Sequence, residues 1–199
     1  MPIFQSLLGS ANWIITLGRF DIAYAVNSLS RYSVAPREGH MIALQRVFGY
    51  LRQRAKGRIL VDVKEAPVRG DLDNQEGKDW SEFYPDAIEH IPSDRPTPKG
   101  KQCSITCYVD ADHARDKVTR RSVTGIVALL NNTPVSWISK CQKTVESSTY
   151  GYELVASRIA VEMIIVLRYF LVMLGVNLES SSHLIGDNMA VTLPSHHQL

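Results

Sequence analysis

The sequence has few cysteines, few aromatic residues and no long uncharged apolar run. Three cysteines among 199 residues cannot all pair, which argues against a disulfide scaffold and favours a reducing compartment. The most apolar stretch, residues 159–176, contains Glu162 and Arg168 and is too short and too charged to span a membrane. The N-terminus lacks a basic region followed by a small-residue cleavage site. We therefore expect an intracellular protein, cytoplasmic or nuclear, that is not secreted and does not bind membranes.

The charge is small in total but unevenly distributed. The net charge is +2, and hydrophobic residues make up 45% of the chain, as in ordinary folded proteins. Residues 1–56 hold seven Lys and Arg against two Asp and Glu, whereas residues 57–103 hold seven against ten. A basic N-terminal part is compatible with contact to a polyanion, but on charge alone a solvated helical surface is the favoured interpretation.

The chain divides into three parts by pattern. Apolar residues recur at helical spacing through the first 56 residues, and a short β-branched run at 58–63 predicts a strand, so we define residues 1–63 as a helical segment. Residues 64–103 hold five of the nine prolines and many acids. They predict a connection between domains, with one short helix around 80–83.

Residues 104–199 have the pattern of a mixed α/β domain. We predict strands over 104–110, 122–130 and 135–139, then a helix that is capped by Ser147, Ser148 or Thr149 and ends near Leu174. A fourth strand follows at 183–185, and a further helix begins at Met189. Consecutive strands with short turns predict an antiparallel three-strand meander, and the crossover helix brings the fourth strand into the same sheet.

Three acids occupy positions at which a binding site can form. Asp110 ends the first strand, Glu153 lies in the first turn of the long helix, and Asp187 follows the fourth strand. Asp112 shares a strand face with Asp110. Clustered carboxylates repel one another, and a hard divalent cation such as Mg²⁺ relieves that repulsion. An acid at a strand end, taken alone, is more often a turn former or a helix cap than a metal ligand.

Several motifs in order resemble one family. They are GRFDIAYAVN, LSRY, P-x-E-x-H, RRSVTG, SW-x-SK-x-Q-x-TVE and GDN. Together they resemble copia-type retrotransposon polyproteins, at the end of the reverse transcriptase and in the ribonuclease H domain that follows it. The resemblance implies a ribonuclease H-like fold over residues 104–199, incomplete at its C-terminus because the chain is C-terminally truncated, after a reverse-transcriptase-like segment at 1–63.

The resemblance also implies an activity and a partner. Ribonuclease H enzymes are Mg²⁺-dependent endonucleases, with Mn²⁺ as an alternative cofactor, that hydrolyse RNA in RNA–DNA hybrids by a two-metal mechanism. The family's metal-binding acids match Asp110, Glu153 and Asp187. The fourth acid has no counterpart here, so we expect impaired catalysis. The alternative is an inactive nucleic-acid-binding or structural remnant of a retroelement polyprotein, whose remainder is a further expected partner.

Five residues near these acids are candidate contacts to nucleic acid. They are Arg120, Arg121, Ser122, Thr124 and Asn188. Arginine suits bidentate contact with phosphate, and the hydroxyl groups suit a phosphate or a ribose 2′-hydroxyl. A solvated hairpin end for the arginines and helix capping for the asparagine are the structural alternatives.

Overall fold

The computed structural model describes residues 2–64, 85, 89–112, 119–146, 148–179 and 181–187. The chain is of the mixed α/β class, as the sequence predicts. The N-terminal part consists of α1 (Pro2–Thr16), a 3-10 helix (Phe20–Ile22), α2 (Ala23–Ser30) and α3 (Glu38–Gln53). The remaining elements are β1 (Lys99–Cys103), β2 (Ile105–Asp112), β3 (Val123–Leu130), β4 (Thr133–Cys141), α4 (Thr149–Met173), β5 (Val176–Leu178) and β6 (His183–Gly186).

Helices α1, α2 and α3 pack around a shared apolar core in the part predicted to be helical. The fully buried members of this core are Phe4, Leu8, Ala11, Ile22, Val26, Leu29, Leu44 and Val47. Their spacing of three, four or seven residues within each helix is that of one buried helical face. His40 stacks on Tyr32 with 3.9 Å between the ring centroids, so it joins the start of α3 to the end of α2.

The main sheet has the strand order β4-β3-β2-β6. Strands β2, β3 and β4 form an antiparallel meander, and β6 pairs with β2 in parallel. Asn131 and Asn132 form the turn between β3 and β4. Asn131 has a φ of 53°, a left-handed conformation that asparagine adopts more readily than most residues. The meander and the crossover to the fourth strand therefore have the predicted arrangement.

Helix α4 covers one face of this sheet. The Ser148 hydroxyl oxygen accepts a hydrogen bond from the Gly151 backbone N–H at 3.1 Å and caps the helix. Ala156 and Ala160 are completely buried against apolar residues of β2 and β3. Because these side chains are small, the helix axis approaches the sheet closely. That approach brings the first turns of α4 over the end of β2.

Two strands differ from the prediction, and one predicted strand is not formed. β1 lies inside the segment 64–103, for which the sequence predicts only a connection, and it pairs in parallel with β5. Residues 58–63 belong to neither sheet. Leu60, Val61 and Val63 are exposed there, and no strand within the described residues pairs with them. The helices predicted around 80–83 and from Met189 lie outside the described residues.

The helical segment docks onto the sheet face opposite α4. Phe20 packs against Trp137 of β4, with ring centroids 5.1 Å apart. Asp62 also reaches the β3–β4 turn: its backbone N–H donates to the Thr133 hydroxyl at 2.8 Å, and its carboxylate accepts from the Asn132 amide at 2.9 Å. The segment and the sheet are thus joined at two places.

A search of the described residues finds no helix that is long and apolar enough to cross a membrane.

Candidate metal centre

Three carboxylates from three different elements meet at one end of the main sheet. Asp110 belongs to β2, Glu153 to the first turns of α4, and Asp187 directly follows β6. One oxygen of each carboxylate lies within 4.8 Å of the other two. The structure therefore brings together the three acids that the sequence analysis selected as metal ligands.

The pairing of β2 with β6 explains why two of these acids are neighbours. Val109 pairs with Gly186 in the parallel ladder. An aspartate directly follows each member of this pair, Asp110 after Val109 and Asp187 after Gly186. The two aspartates therefore lie side by side. Parallel strands end at the same edge of a sheet, where side chains converge.

Glu153 reaches the same point from the helix and is the buried member of the cluster. It is 6% exposed. The pKa of Glu153 is raised to about 7, first by burial and then by the negative charges of Asp110 and Asp187, whereas a hydrogen bond with the Ala111 backbone acts in the opposite direction. The folded protein thus resists ionisation of this carboxyl group unless positive charge is brought close to it.

The donor set fits a hard divalent cation. Three carboxylates offer only oxygen donors, which Mg²⁺ and Mn²⁺ prefer over sulfur and nitrogen. Asp110 and Asp187 are exposed, so a cation can reach the cluster from solvent. A cation also offsets the repulsion that raises the pKa of Glu153. The described residues therefore suit Mg²⁺ or Mn²⁺ in both chemistry and access.

A cleft of about 980 Å³ adjoins the acids. The main sheet forms one wall, and residues Phe20 to Tyr24 of the helical segment contribute to the other. Its described lining includes four aspartates and no lysine or arginine; the four are Asp21, Asp110, Asp112 and Asp187. This negative charge favours the binding of cations in the cleft.

A buried glutamine, to which the sequence analysis assigns no role, ties β4 to the start of α4. Gln142 is 4% exposed. Its Nε2 donates to the Thr124 hydroxyl oxygen at 3.0 Å and to the Tyr152 carbonyl oxygen at 2.8 Å. Tyr152 directly precedes Glu153. The motif SW-x-SK-x-Q-x-TVE contains this glutamine and is the sequence signal that pointed to it.

The candidate nucleic-acid contacts fall into three groups. Arg120 and Arg121 are exposed immediately before β3, at the end of the sheet that carries Asp110. Ser122 and Thr124 are 2% and 1% exposed, so their hydroxyl groups are not presented to a ligand. The sequence pattern does not predict this burial, because it depends on Gln142 of the loop before α4, which contacts the Thr124 hydroxyl and the Ser122 carbonyl oxygen. Asn188 lies outside the described residues.

Sequence comparison finds similarity to polyproteins of mobile elements. Over 147 residues, or 73% of this chain, the sequence is 30% identical to the retrovirus-related Pol polyprotein from transposon RE1 of Arabidopsis thaliana. Over 174 residues, or 87% of the chain, it is 29% identical to the corresponding polyprotein from transposon TNT 1-94 of Nicotiana tabacum. These two relatives are retrotransposon polyproteins.

The shared region is a small part of these retrotransposon polyproteins. It spans 8% of the RE1 polyprotein and 10% of the TNT 1-94 polyprotein. A shorter relative, the secreted RxLR effector protein 161 of Plasmopara viticola, is 28% identical over 153 residues, which are 77% of this chain and 82% of the effector. No protein-family model and no solved structure matches the chain. The retroelement part of the predicted resemblance is confirmed, and the ribonuclease H assignment stays a prediction.

Proposed function

We propose that this chain is a ribonuclease H module of a retroelement polyprotein, which hydrolyses the RNA strand of RNA–DNA hybrids with Mg²⁺ as cofactor. The observation that carries the proposal is the convergence of the Asp110, Glu153 and Asp187 carboxylates within 4.8 Å. The sequence motifs and the similarity to retrotransposon polyproteins support it. The proposed partners are the hybrid and the remainder of such a polyprotein, in the cytoplasm or nucleus.

Each of the three acids would contribute a carboxylate oxygen as a ligand to the cation. Asp110 and Asp187 would hold it from the solvent side, and the buried Glu153 would hold it from the helix side. Glu153 must lose its proton to act as a ligand, so binding releases a proton at a pH near or below the pKa of about 7. When bound, Mg²⁺ supplies Lewis-acid activation of the phosphate and lowers the pKa of water.

Two further features fit a phosphodiester substrate. The exposed guanidinium groups of Arg120 and Arg121 lie at the end of the sheet that carries the acids, where they can contact phosphates beside the cleaved bond. Phosphodiester hydrolysis by this route uses water as the nucleophile. The chain therefore needs no activated serine or cysteine for the reaction.

The test is cleavage of a labelled RNA–DNA hybrid in Mg²⁺ or Mn²⁺ by the parent chain and by Asp110→Asn and Glu153→Gln. Asp94→Asn and Glu162→Gln are the matched controls, since both carboxylates are exposed and outside the cluster. We expect cleavage by the parent and by both controls, at a rate that is impaired because the fourth acid has no counterpart. Each cluster substitution should lower the rate at least 100-fold, because each removes a ligand.

The alternative is a chain that binds the hybrid without turning it over. Folded parent protein that binds hybrid but leaves it intact at high Mg²⁺ and Mn²⁺ would support this alternative and contradict the proposal. Cleavage that survives both cluster substitutions would show that the activity does not come from the carboxylate cluster and would also contradict the proposal.

A further inference from the structure

We infer that Gln142 is a positioning residue for Glu153 and that its side-chain amide sets how tightly the carboxylate cluster binds a divalent cation. This inference rests on the proposed function, since it concerns the same metal centre. Gln142 is not one of the three candidate metal ligands, which are Asp110, Glu153 and Asp187. It acts through the backbone at the start of α4.

The contacts of Gln142 join three elements around Glu153. The amide Nε2 uses its two hydrogens on Thr124 of β3, at 3.0 Å, and on the Tyr152 carbonyl of α4, at 2.8 Å. The Gln142 backbone N–H also donates to the Ser122 carbonyl oxygen at 2.8 Å, which fixes the glutamine against the start of β3. The side chain therefore holds the residue before Glu153 at a set distance from β3.

The link closes a ring through the sheet. Thr124 pairs with Ala111 of β2, and the Ala111 backbone hydrogen-bonds Glu153. The ring runs from Gln142 through Thr124, Ala111 and Glu153 to Tyr152 and back. Glu153 is thus braced from both sides, although the like charges of Asp110 and Asp187 push its carboxylate away.

The Gln142 side chain also buries a polar atom, its amide oxygen Oε1, at a cost in stability. Its Oε1 is buried and finds no hydrogen-bond donor among the described residues. A buried carbonyl without a partner is unfavourable, and an apolar side chain of similar length would fill the space without it. What an apolar side chain cannot do is hold the Tyr152 carbonyl. The arrangement therefore points to placement of Glu153 rather than to stability.

The experiment is a titration with Mn²⁺, followed by electron paramagnetic resonance, of the parent chain and of Gln142→Met and Gln142→Asn. Methionine matches glutamine in length but has no donor, and asparagine is too short to reach both acceptors. We expect the Mn²⁺ dissociation constant to rise about tenfold or more, as for other residues that orient metal ligands. Circular dichroism shows which variants are folded, and either folded variant is sufficient.

Two controls separate placement from stability and from the metal site itself. Ile164→Ala removes buried apolar volume from α4 about 16 Å along the helix from Glu153, so it should lower the melting temperature and leave the dissociation constant within twofold of the parent. Asp110→Asn should abolish binding.

The outcomes distinguish the two claims. Parent-like Mn²⁺ affinity in a folded Gln142 variant, with binding abolished by Asp110→Asn, overturns the role of Gln142 and leaves the metal centre intact. Parent-like affinity in Asp110→Asn overturns the metal centre and, with it, this inference. Equal weakening of Mn²⁺ binding by Ile164→Ala and Gln142→Met would show a general loss of stability and also overturn it.

Discussion

Ionisation of Glu153 destabilises the folded chain in the absence of a cation. Its pKa of about 7 lies above the ordinary value for glutamate, so the folded state binds its proton more tightly than the unfolded state does. The contribution of this group to stability is therefore fully present below about pH 4.5 and is lost as the pH rises through 7. Selection for stability alone would not place a carboxylate here.

Replacing Glu153 with glutamine should stabilise the metal-free protein at alkaline pH. We expect the free energy of unfolding of Glu153→Gln to exceed that of the parent by on the order of 1 kcal/mol at pH 8 and to match it near pH 4.5. Denaturant unfolding in EDTA at both pH values measures the difference. A variant that is less stable than the parent at pH 8 would contradict this account.

The same experiment has a matched control in α4. Glu162 is exposed and lies 3.3 Å from Arg158 in an ion pair between two exposed side chains. Such a pair contributes little, so Glu162→Gln should change stability by less than about 0.5 kcal/mol at either pH. A gain at pH 8 that appears only in Glu153→Gln then reports the buried cluster.

Asp21 lines the same cleft, but its carboxylate is hydrogen-bonded to residues of the helical segment. Arg19 holds the pKa of Asp21 below its ordinary value through two hydrogen bonds of 3.0 and 2.9 Å, and the Tyr50 hydroxyl donates a third at 2.9 Å. Its stabilising contribution is present above its ordinary pKa and is lost as the pH falls through the lowered value. The Asp21 carboxylate therefore stabilises the helical segment, and we do not expect it to bind the cation.

Asp21→Asn should therefore lower stability without changing metal binding. We expect a loss of at most about 1 kcal/mol at pH 7, because the aspartate is partly exposed, and an Mn²⁺ dissociation constant within twofold of the parent. Denaturant unfolding and the Mn²⁺ titration measure the two quantities. A large loss of Mn²⁺ affinity would extend the metal centre across the cleft to the helical segment.

At the scale of elements, the start of α4 decides where Glu153 lies. Ser148 caps the helix, and Gly151 follows with its Cα against the Glu146 side chain, where an added Cβ would stand 2.9 Å from Glu146 Oε2. The serines and threonine before the helix predict a cap, and Ser148 is the residue that provides it. The side-chain tie from Gln142 was not predicted, because it joins residues ten positions apart across a loop.

Loss of this cap should destabilise the protein by a modest amount. Ser148→Ala is expected to lower the free energy of unfolding by about 1 kcal/mol, since the Gly151 N–H loses its acceptor. Ser157→Ala, in the middle of the same helix, is the control and should be neutral or slightly stabilising because alanine has the higher helix propensity. Thermal unfolding followed at 222 nm compares them, and equal effects would contradict the capping role.

The short strands show where element prediction fails. The alternating β2 and the β-branched β3 are apolar enough to be predicted from local pattern. Residues 99–103 of β1 are mostly exposed and polar, and they form a strand only because β5 lies beside them. Residues 58–63 show the opposite case: they have a strand-like composition, but none of the strands in the described part of the chain pairs with them.

At the scale of the whole molecule, the helical segment and the sheet share an interface and a cleft. The interface is centred on Phe20 and Trp137 and is extended by Asp62 at the β3–β4 turn. The sequence places a domain boundary after residue 63 and does not predict this contact. Helix and sheet should therefore unfold together.

Removing the aromatic contact should weaken that coupling. Phe20→Ala is expected to lower the free energy of unfolding by about 1–3 kcal/mol and to broaden or split a single calorimetric transition. Trp13→Ala is the control, because Trp13 is 66% exposed on α1 and its loss should leave one transition. A single sharp transition in Phe20→Ala, at the parent temperature, would show that the interface contributes nothing.

The sequence by itself determined the element types around the site and the identity of the three acids. Local periodicity specifies β2, β3, β4, α4 and β6, and the acids lie near the ends of β2, α4 and β6, where side chains can converge. The tertiary structure alone decided that the carboxylates lie within 4.8 Å, that Ser122 and Thr124 are buried, and that Gln142 braces Glu153. These properties depend on strand register and helix docking, which arise from contacts between residues distant in the chain.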